Sequence, residues 1–396
     1  MRIGTASAYD SSLELLYKRQ TDMASQQEQL SSGLRVNRTS DDPIAAAQAE
    51  RAMVRLSRIE TDQRALETQR SALASAEAGL GEAIGLMQTA REFVIAAGNA
   101  AYTPANRETL ATQLNSLRDQ IFAIANRTDS NGVPLFGGLG SAGSPFADIP
   151  AGVLFQGAAG QRAATTTALP GTMNGQAIWM DVPSGNRTFE VSLGAANTGG
   201  VWTDPGTVLS PALVTGQNYR IDFTVTAGVT TYDVVNTTTA ATVLSGQPYT
   251  DGAPIQFDGI SVIAHGAPAN GDTIDIAPST TLNMFNLLDD TISNIDKASG
   301  DNKLAQGITL SLAQIDTGLE RLQAARGQAG DWLNRADSIT NAQSARSLTL
   351  EADRSRAVDV DMVKAISDFS KTQTGYQAAL QSYAQIQRLS LFNYIN

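Results

Sequence analysis

Between Ile44 and Gly98 apolar side chains recur at alternating steps of three and four: Leu56, Ile59, Leu66, Leu73, Leu80, Ile84, Met87 and Val94. Gln63, Arg70, Glu77 and Arg91 fill the intervening slots of the same seam. A 3.5-residue repeat held this long predicts a helix that packs along its length on partner helices. At 1.5 Å per residue it would be ~80 Å long. Asp42 ahead of Pro43 supplies an N-cap and a first helical position, and Gly98-Asn99 a C-cap.

The same pattern predicts the partners. Residues 3–34 read as a helix with Leu13, Leu16, Met23, Leu30 and Leu34 on a seam that Gln20 and Gln27 interrupt. A helix so thinly apolar is marginal until it is paired. Thr103-Pro104 starts a helix carrying Leu110, Leu114, Leu117, Ile121 and Ile124, folded back on the long one and ending between Asn126 and Asn131-Gly132. Helix returns at Leu282 with Phe285, Leu288, Ile292 and Ile295. A second long seam runs Ile308, Leu312, Ile315, Leu319, Leu322, Ala329, Leu333 and Ala336. From about Ala357 to Asn396 a last seam carries Met362, Ile366, Phe369, Tyr376, Leu380 and Tyr383, then changes register to Ile386, Leu389 and Phe392. The two terminal helices are suited to pairing with each other.

Between Val133 and about residue 280 helical periodicity stops. Alternating runs at 188–193, 219–225, 231–235 and 260–264, separated by Gly- and Pro-rich turns, predict a β sandwich or irregular barrel. The fold class expected is α+β: an antiparallel helical bundle built from both ends of the chain, with a coiled coil of terminal helices and a β-rich domain inserted between them. The expected division is 1–42 with 350–396 as terminal coiled coil, 43–137 with 282–349 as bundle, and 138–281 as β domain.

Composition narrows the function. Of 396 residues, 28 are Lys or Arg and 39 Asp or Glu, a net charge of −11 with no basic stripe, which argues against nucleic acid as a partner. The absence of Cys excludes thiolate chemistry and Cys-based metal centres. No apolar run reaches signal-peptide or membrane-span length, so a soluble chain with no membrane partner is expected, leaving any cell by a route that reads no cleaved signal.

No constellation carries catalysis. Gly138-Leu139-Gly140-Ser141-Ala142-Gly143 has dinucleotide-site spacing, but Ser144-Pro145 follows where a helix must begin, so a flexible junction is the better reading. The one histidine, His265, lies in a Gly/Pro-flanked stretch and reads as a surface or turn residue. The pairs Asp41-Asp42, Asp289-Asp290 and Asp359/Asp361 fall at helix starts or in helices, where such charge is favoured. Asp272/Asp275 lacks a calcium-loop spacing. No catalytic, cofactor or metal residue is assigned.

Leu30-Ser31-Ser32-Gly33-Leu34-Arg35-Val36-Asn37, followed by Ser40-Asp41-Asp42-Pro43-Ile44-Ala45, resembles the signature of the bacterial flagellin family. The resemblance covers roughly 1–137 and 282–396, not the β domain. Three features are more like the family's hook–filament junction members than its filament subunits. They are the start Met1-Arg2-Ile3-Gly4-Thr5, the exit from the bundle at 131–138, and the end Leu389-Ser390-Leu391-Phe392-Asn393-Tyr394. Asn393 departs from the commoner Asp. The resemblance implies a tubular assembly with paired terminal helices inside, the bundle as wall and the β domain projecting. It also implies a structural protein, not an enzyme, located extracellularly in the flagellum after unfolded type III export. Its expected partners are a ring of its own copies, a neighbouring junction protein, flagellin and an export chaperone. The residues expected at the assembly interface are Leu13, Leu16, Met23, Leu30, Leu34, Ile366, Phe369, Tyr376, Leu380, Tyr383, Ile386, Leu389 and Phe392. The alternatives are a filament subunit, or an adhesin whose β domain stacks sugars on Trp179, Trp202, Tyr219, Tyr232 and Tyr249.

Overall fold

The computed structural model describes residues 5–297 and 300–395, with side chains from 10 to 297 and from 300 to 385. The side chains of Ile386, Leu389 and Phe392 therefore lie outside the described residues. In chain order the elements are helices α1 (Thr5–Ser32), α2 (Pro43–Ala97) and α3 (Pro104–Ala125), then strands β1 (Phe146–Ile149), β2 (Gly152–Phe155), β3 (Val182–Pro183), β4 (Phe189–Leu193), β5 (Trp202–Thr203) and β6 (Thr207–Val208). There follow β7 (Tyr219–Thr226), β8 (Val229–Asn236), β9 (Ala241–Pro248), β10 (Pro254–Phe257), β11 (Ile260–His265), β12 (Thr273–Pro278) and β13 (Thr281–Leu282), and helices α4 (Met284–Asp296), α5 (Asp301–Val358) and α6 (Met362–Ile395). The α+β architecture expected from the sequence is the one observed. The chain divides into two compact units, residues 1–64 with 339–396 and residues 65–338.

In the 65–338 unit the seam of α2 is the core. Leu66, Leu73, Leu80, Met87 and Val94 are buried, and Ala72, Ala76, Ala83 and Ala90 widen the buried stripe enough to take neighbours on two sides. Helix α5 runs antiparallel to α2, as the ion pairs Arg91–Asp316 (2.7 Å) and Arg326–Glu77 (2.6 Å) fix from opposite ends. Helix α3 covers the other side: it starts at the Thr103 cap, whose hydroxyl accepts from the Asn106 N–H, and brings Ile124 against Gly79. Helix α2 ends as expected at Ala97, but Gly98 serves there to let Ile308 approach rather than to make a left-handed cap.

Helix α4 packs on α3 and closes an aromatic centre. Phe285 meets Phe122 edge-on at 5.5 Å, Phe146 at 5.9 Å and Trp179 in a stack at 6.1 Å. Beside it the buried Arg118 bonds Asp289 (3.0 Å) and Asp148. Its bond to Asp148, ahead of that to Asp289, raises the guanidinium above its ordinary pKa in spite of burial, so it stays a cation throughout.

The β region of this unit is a sandwich. One antiparallel sheet has the order β4-β12-β7-β8-β9, and the other places β11 between β10 and β5, with β6 also on β11. Their inner faces share one core that includes Phe189, Ile221, Phe223, Val234, Ile255, Val262 and Ile274. The Gly138–Gly140 stretch differs from the flexible junction expected. Gly138 donates to Met173 (2.9 Å), Leu139 to Ala158 (2.8 Å), and Gly140 accepts from Ala158 (2.8 Å), so backbone bonds fasten it on both sides.

Candidate assembly interface

The 1–64/339–396 unit is organised by a crossing of the chain on itself. After α1, Gly33 takes φ +72°, a left-handed turn that glycine adopts without strain. Leu34 then bridges Asp359, Arg35 N–H donates to Val358 (2.7 Å), and Val360 N–H donates to Gly33 (3.0 Å). The Arg35 side chain spans the crossing, with one Nη on the Ala357 carbonyl (2.6 Å) and the other on Asp42 (3.2 Å). Val36 is buried with Ala45, Ala49 and Ala357 beneath it. Asp41 accepts from the Asn37 and Arg38 N–H groups (3.1 and 2.8 Å), and Asp42 accepts from Ala45 (3.0 Å) as the N-cap of α2. The flagellin-like signature is thus the set of residues that turns the chain and ties α1 and α2 to the break between α5 and α6.

The Ala45 N–H first, and then Arg35, hold the Asp42 carboxyl below its ordinary value of 3.8. A depressed carboxylate pKa contributes stability that is present above the ordinary value and is lost as pH falls through the lower one. Asp42→Asn keeps an oxygen for the cap and loses the charge. The variant is expected to be less stable than the parent in denaturant titration at pH 7, with the gap closing below pH ~4. A gap that does not change with pH would mean the charge is idle.

Helix α1 packs on α6, and the crossing makes the pair antiparallel. On α1, Leu16 is buried and Leu13, Met23 and Leu30 are half-buried, whereas Leu34, expected on the same helical seam, lies past the Gly33 turn in the bridge to Asp359. The polar slots between them are Arg19 and Gln26, not the expected Gln20 and Gln27, which are exposed. On α6 the half-buried stripe is Ala365, Asp368, Phe369, Thr372, Gly375, Tyr376, Ala379 and Tyr383. Phe369, Tyr376 and Tyr383 therefore meet α1, whereas Ile366 is 53% exposed and Leu380 42%. Met362 and Val363 are exposed too, so α6 leaves apolar side chains uncovered at 362–366 and at 380, and Leu15 does the same on α1.

Among the described residues no group of three or more His, Cys, Asp or Glu side chains could hold a metal, and no helix is long and apolar enough to cross a membrane. Asp272 is buried and accepts from the backbone of Thr198, Gly199 and Ala269. His265 ends β11 and stacks on Trp202 at 4.4 Å. Of the aromatics expected of an adhesin, Trp179 and Tyr219 are buried, Tyr232 and Tyr249 pack on the β core, and Trp202 is half-buried against His265.

The family model for the bacterial flagellin N-terminal helical region matches residues 3–141, and that for the C-terminal helical region matches 312–395. The flagellar hook-associated protein 3 of Salmonella typhimurium is 25% identical over 99% of both chains. A flagellin of Clostridium tyrobutyricum is 24% identical over 90% of this chain and 91% of its own. The crystal structure of flagellar hook associated protein-3 from Legionella pneumophila superposes with a TM-score of 0.72 at 28% identity, over 76% of this chain and 97% of that one. The two helical regions on either side of the sandwich, tied at the Arg35 crossing, place this chain in the bacterial flagellin family.

Proposed function

We propose that this chain is a structural subunit of the bacterial flagellum, joining hook to filament and catalysing nothing. The observation that carries the proposal is the pair of flagellin-type terminal helices with apolar side chains left uncovered. Leu380, Ile366, Val363 and Met362 are 42–83% exposed in the single chain, and a subunit of a polymer can cover such side chains with its neighbours. The likeness to a hook-associated protein 3 runs over 99% of both chains, against 90–91% for the flagellin, and a solved hook associated protein-3 superposes with a TM-score of 0.72, which favours the junction over the filament.

In this reading segments 1–42 and 350–396 carry the assembly contacts, through Leu13, Leu16, Met23, Leu30, Leu34, Ile366, Phe369, Tyr376, Leu380, Tyr383, Ile386, Leu389 and Phe392. Segments 43–137 and 282–349 support them, and 138–281 is an inserted β-rich outer domain. Copies close into a ring between a neighbouring junction protein and flagellin, outside the cell, after escort by an export chaperone and passage without a cleaved signal. The terminal helices lose their remaining freedom only on docking, so ordering and assembly are coupled.

The filament-subunit reading makes the opposite prediction for the purified chain. A junction subunit stays in small species at high concentration and adds to hook-type ends. A filament subunit polymerises alone into long fibres. Sedimentation and electron microscopy separate the two, and long fibres from this chain alone would overturn the junction assignment.

A further inference from the structure

Glycine in the interior of a helix is unfavourable, yet Gly375 sits in the middle of α6, on the stripe that packs against α1. A Cβ built on it would run into the Arg19 guanidinium of α1, with Nη1 closest and Cζ next at 3.5 Å. Arg19 lies on the seam in line with Leu16 and Met23, and its Nε is buried with no hydrogen-bond partner. A cation held in a helix seam without a partner for that nitrogen is placed there by shape and not by pairing. Gly375 leaves α6 backbone bare at the level where Arg19 crosses it. A heptad slip in either direction would bring a side chain with a Cβ under the guanidinium, Ser382 in one and Asp368 in the other, and only Asp368 would offer it a carboxylate in return.

We propose that Arg19 and Gly375 form a register key for the terminal helix pair: the guanidinium of α1 seats over the one residue of the α6 stripe that lacks a side chain, and this fixes the antiparallel register. Register decides which apolar side chains of the two helices stand side by side on the free surface. A slip of one heptad displaces Leu380 and Ile366 by about 10 Å relative to Leu15. The consequence for assembly rests on the flagellar reading, whereas the register itself is a property of the single chain.

The test uses the full chain, which has no native Cys, with spin labels on cysteines at the exposed positions Ser25 and Ser370. A leucine at a seam position ordinarily strengthens a helix pair. The key makes Gly375→Leu do the reverse. The label distance is expected to shift by a heptad or spread, and the melting midpoint of the pair to fall. Adding Arg19→Ala to Gly375→Leu makes room and is expected to restore the native distance and raise the midpoint above that of Gly375→Leu alone. If Gly375→Leu alone keeps the native distance and melts higher, Arg19 has merely swung into solvent and there is no key. If Arg19→Ala brings no recovery, the obstruction is not Arg19 and the proposal fails. Both readouts are taken on unassembled chain, so a failure here leaves the junction assignment standing, and the reverse.

Discussion

Phe285→Ala is expected to cost the 65–338 unit about 3–5 kcal/mol, a fall of roughly 10 °C in the midpoint of that unit's transition. Phe285 is fully buried, and its ring is the common neighbour of Phe122, Phe146 and Trp179. Those rings stand on α3, β1 and the short helical turn Gln176–Met180. No single element can move inward to fill the space without dragging its own contacts, so the cavity stays largely open. The ring–ring geometries, each worth about 0.5–1.5 kcal/mol beyond area, are lost as well. Phe285→Leu keeps most of the volume and is expected to cost clearly less. Calorimetry on both variants decides the matter. A loss below ~1 kcal/mol for the alanine variant would mean that the site collapses, and that the aromatic centre does not join helices to strands.

The second large effect is one of assembly and not of folding. Leu380→Asp is expected to change helix content and melting of the isolated chain little, because the side chain lies at the edge of the stripe that meets α1 and is 42% exposed. Exposed substitutions of this kind stay within about 0.5 kcal/mol. In a packed contact between copies the same carboxylate would be buried without a partner, at a cost of several kcal/mol per contact. Since ~1.4 kcal/mol is tenfold in affinity, incorporation should fall by two to three orders of magnitude at each contact. A Leu380→Asp chain that enters flagella normally would remove Leu380 from the interface.

The long-range architecture could be read from the sequence where a side-chain period spans many turns. The seam of α2 and the strands at 189–193, 219–226, 229–236 and 260–265 emerge close to where the patterns place them. The caps Asp42 and Thr103 were legible because a cap and its target lie three residues apart. Arg118 was not legible. Its partners stand 30 and 171 residues away, and nothing local marks a helical arginine as buried. The terminal pair was half legible. Bulk suggests that Ile366 and Leu380 belong to the seam, but the stripe of α6 that meets α1 includes Ala365, Thr372, Gly375 and Ala379. Small residues let two helices approach closely, and a pattern scored by hydrophobic size favours the wrong edge of the same helix. On α1 the same effect hid Arg19 and Gln26 behind the neighbouring glutamines.

Helices α3 and α4 lie against each other, with Phe122 near the end of one touching Phe285 at the start of the other. The chain therefore departs and returns at one place, and everything from 126 to 283 is a closed excursion. The entropy of closing such an excursion grows only with the logarithm of its length, about 0.6 kcal/mol per doubling. That cost sets little limit on the length of the sandwich, whereas Phe146, Asp148 and Trp179, which pack on the helices, cannot be exchanged without loss. Two lineages could carry unrelated sandwiches on the same helical grip, and a foreign domain whose ends lie a helix width apart could be grafted there in their place.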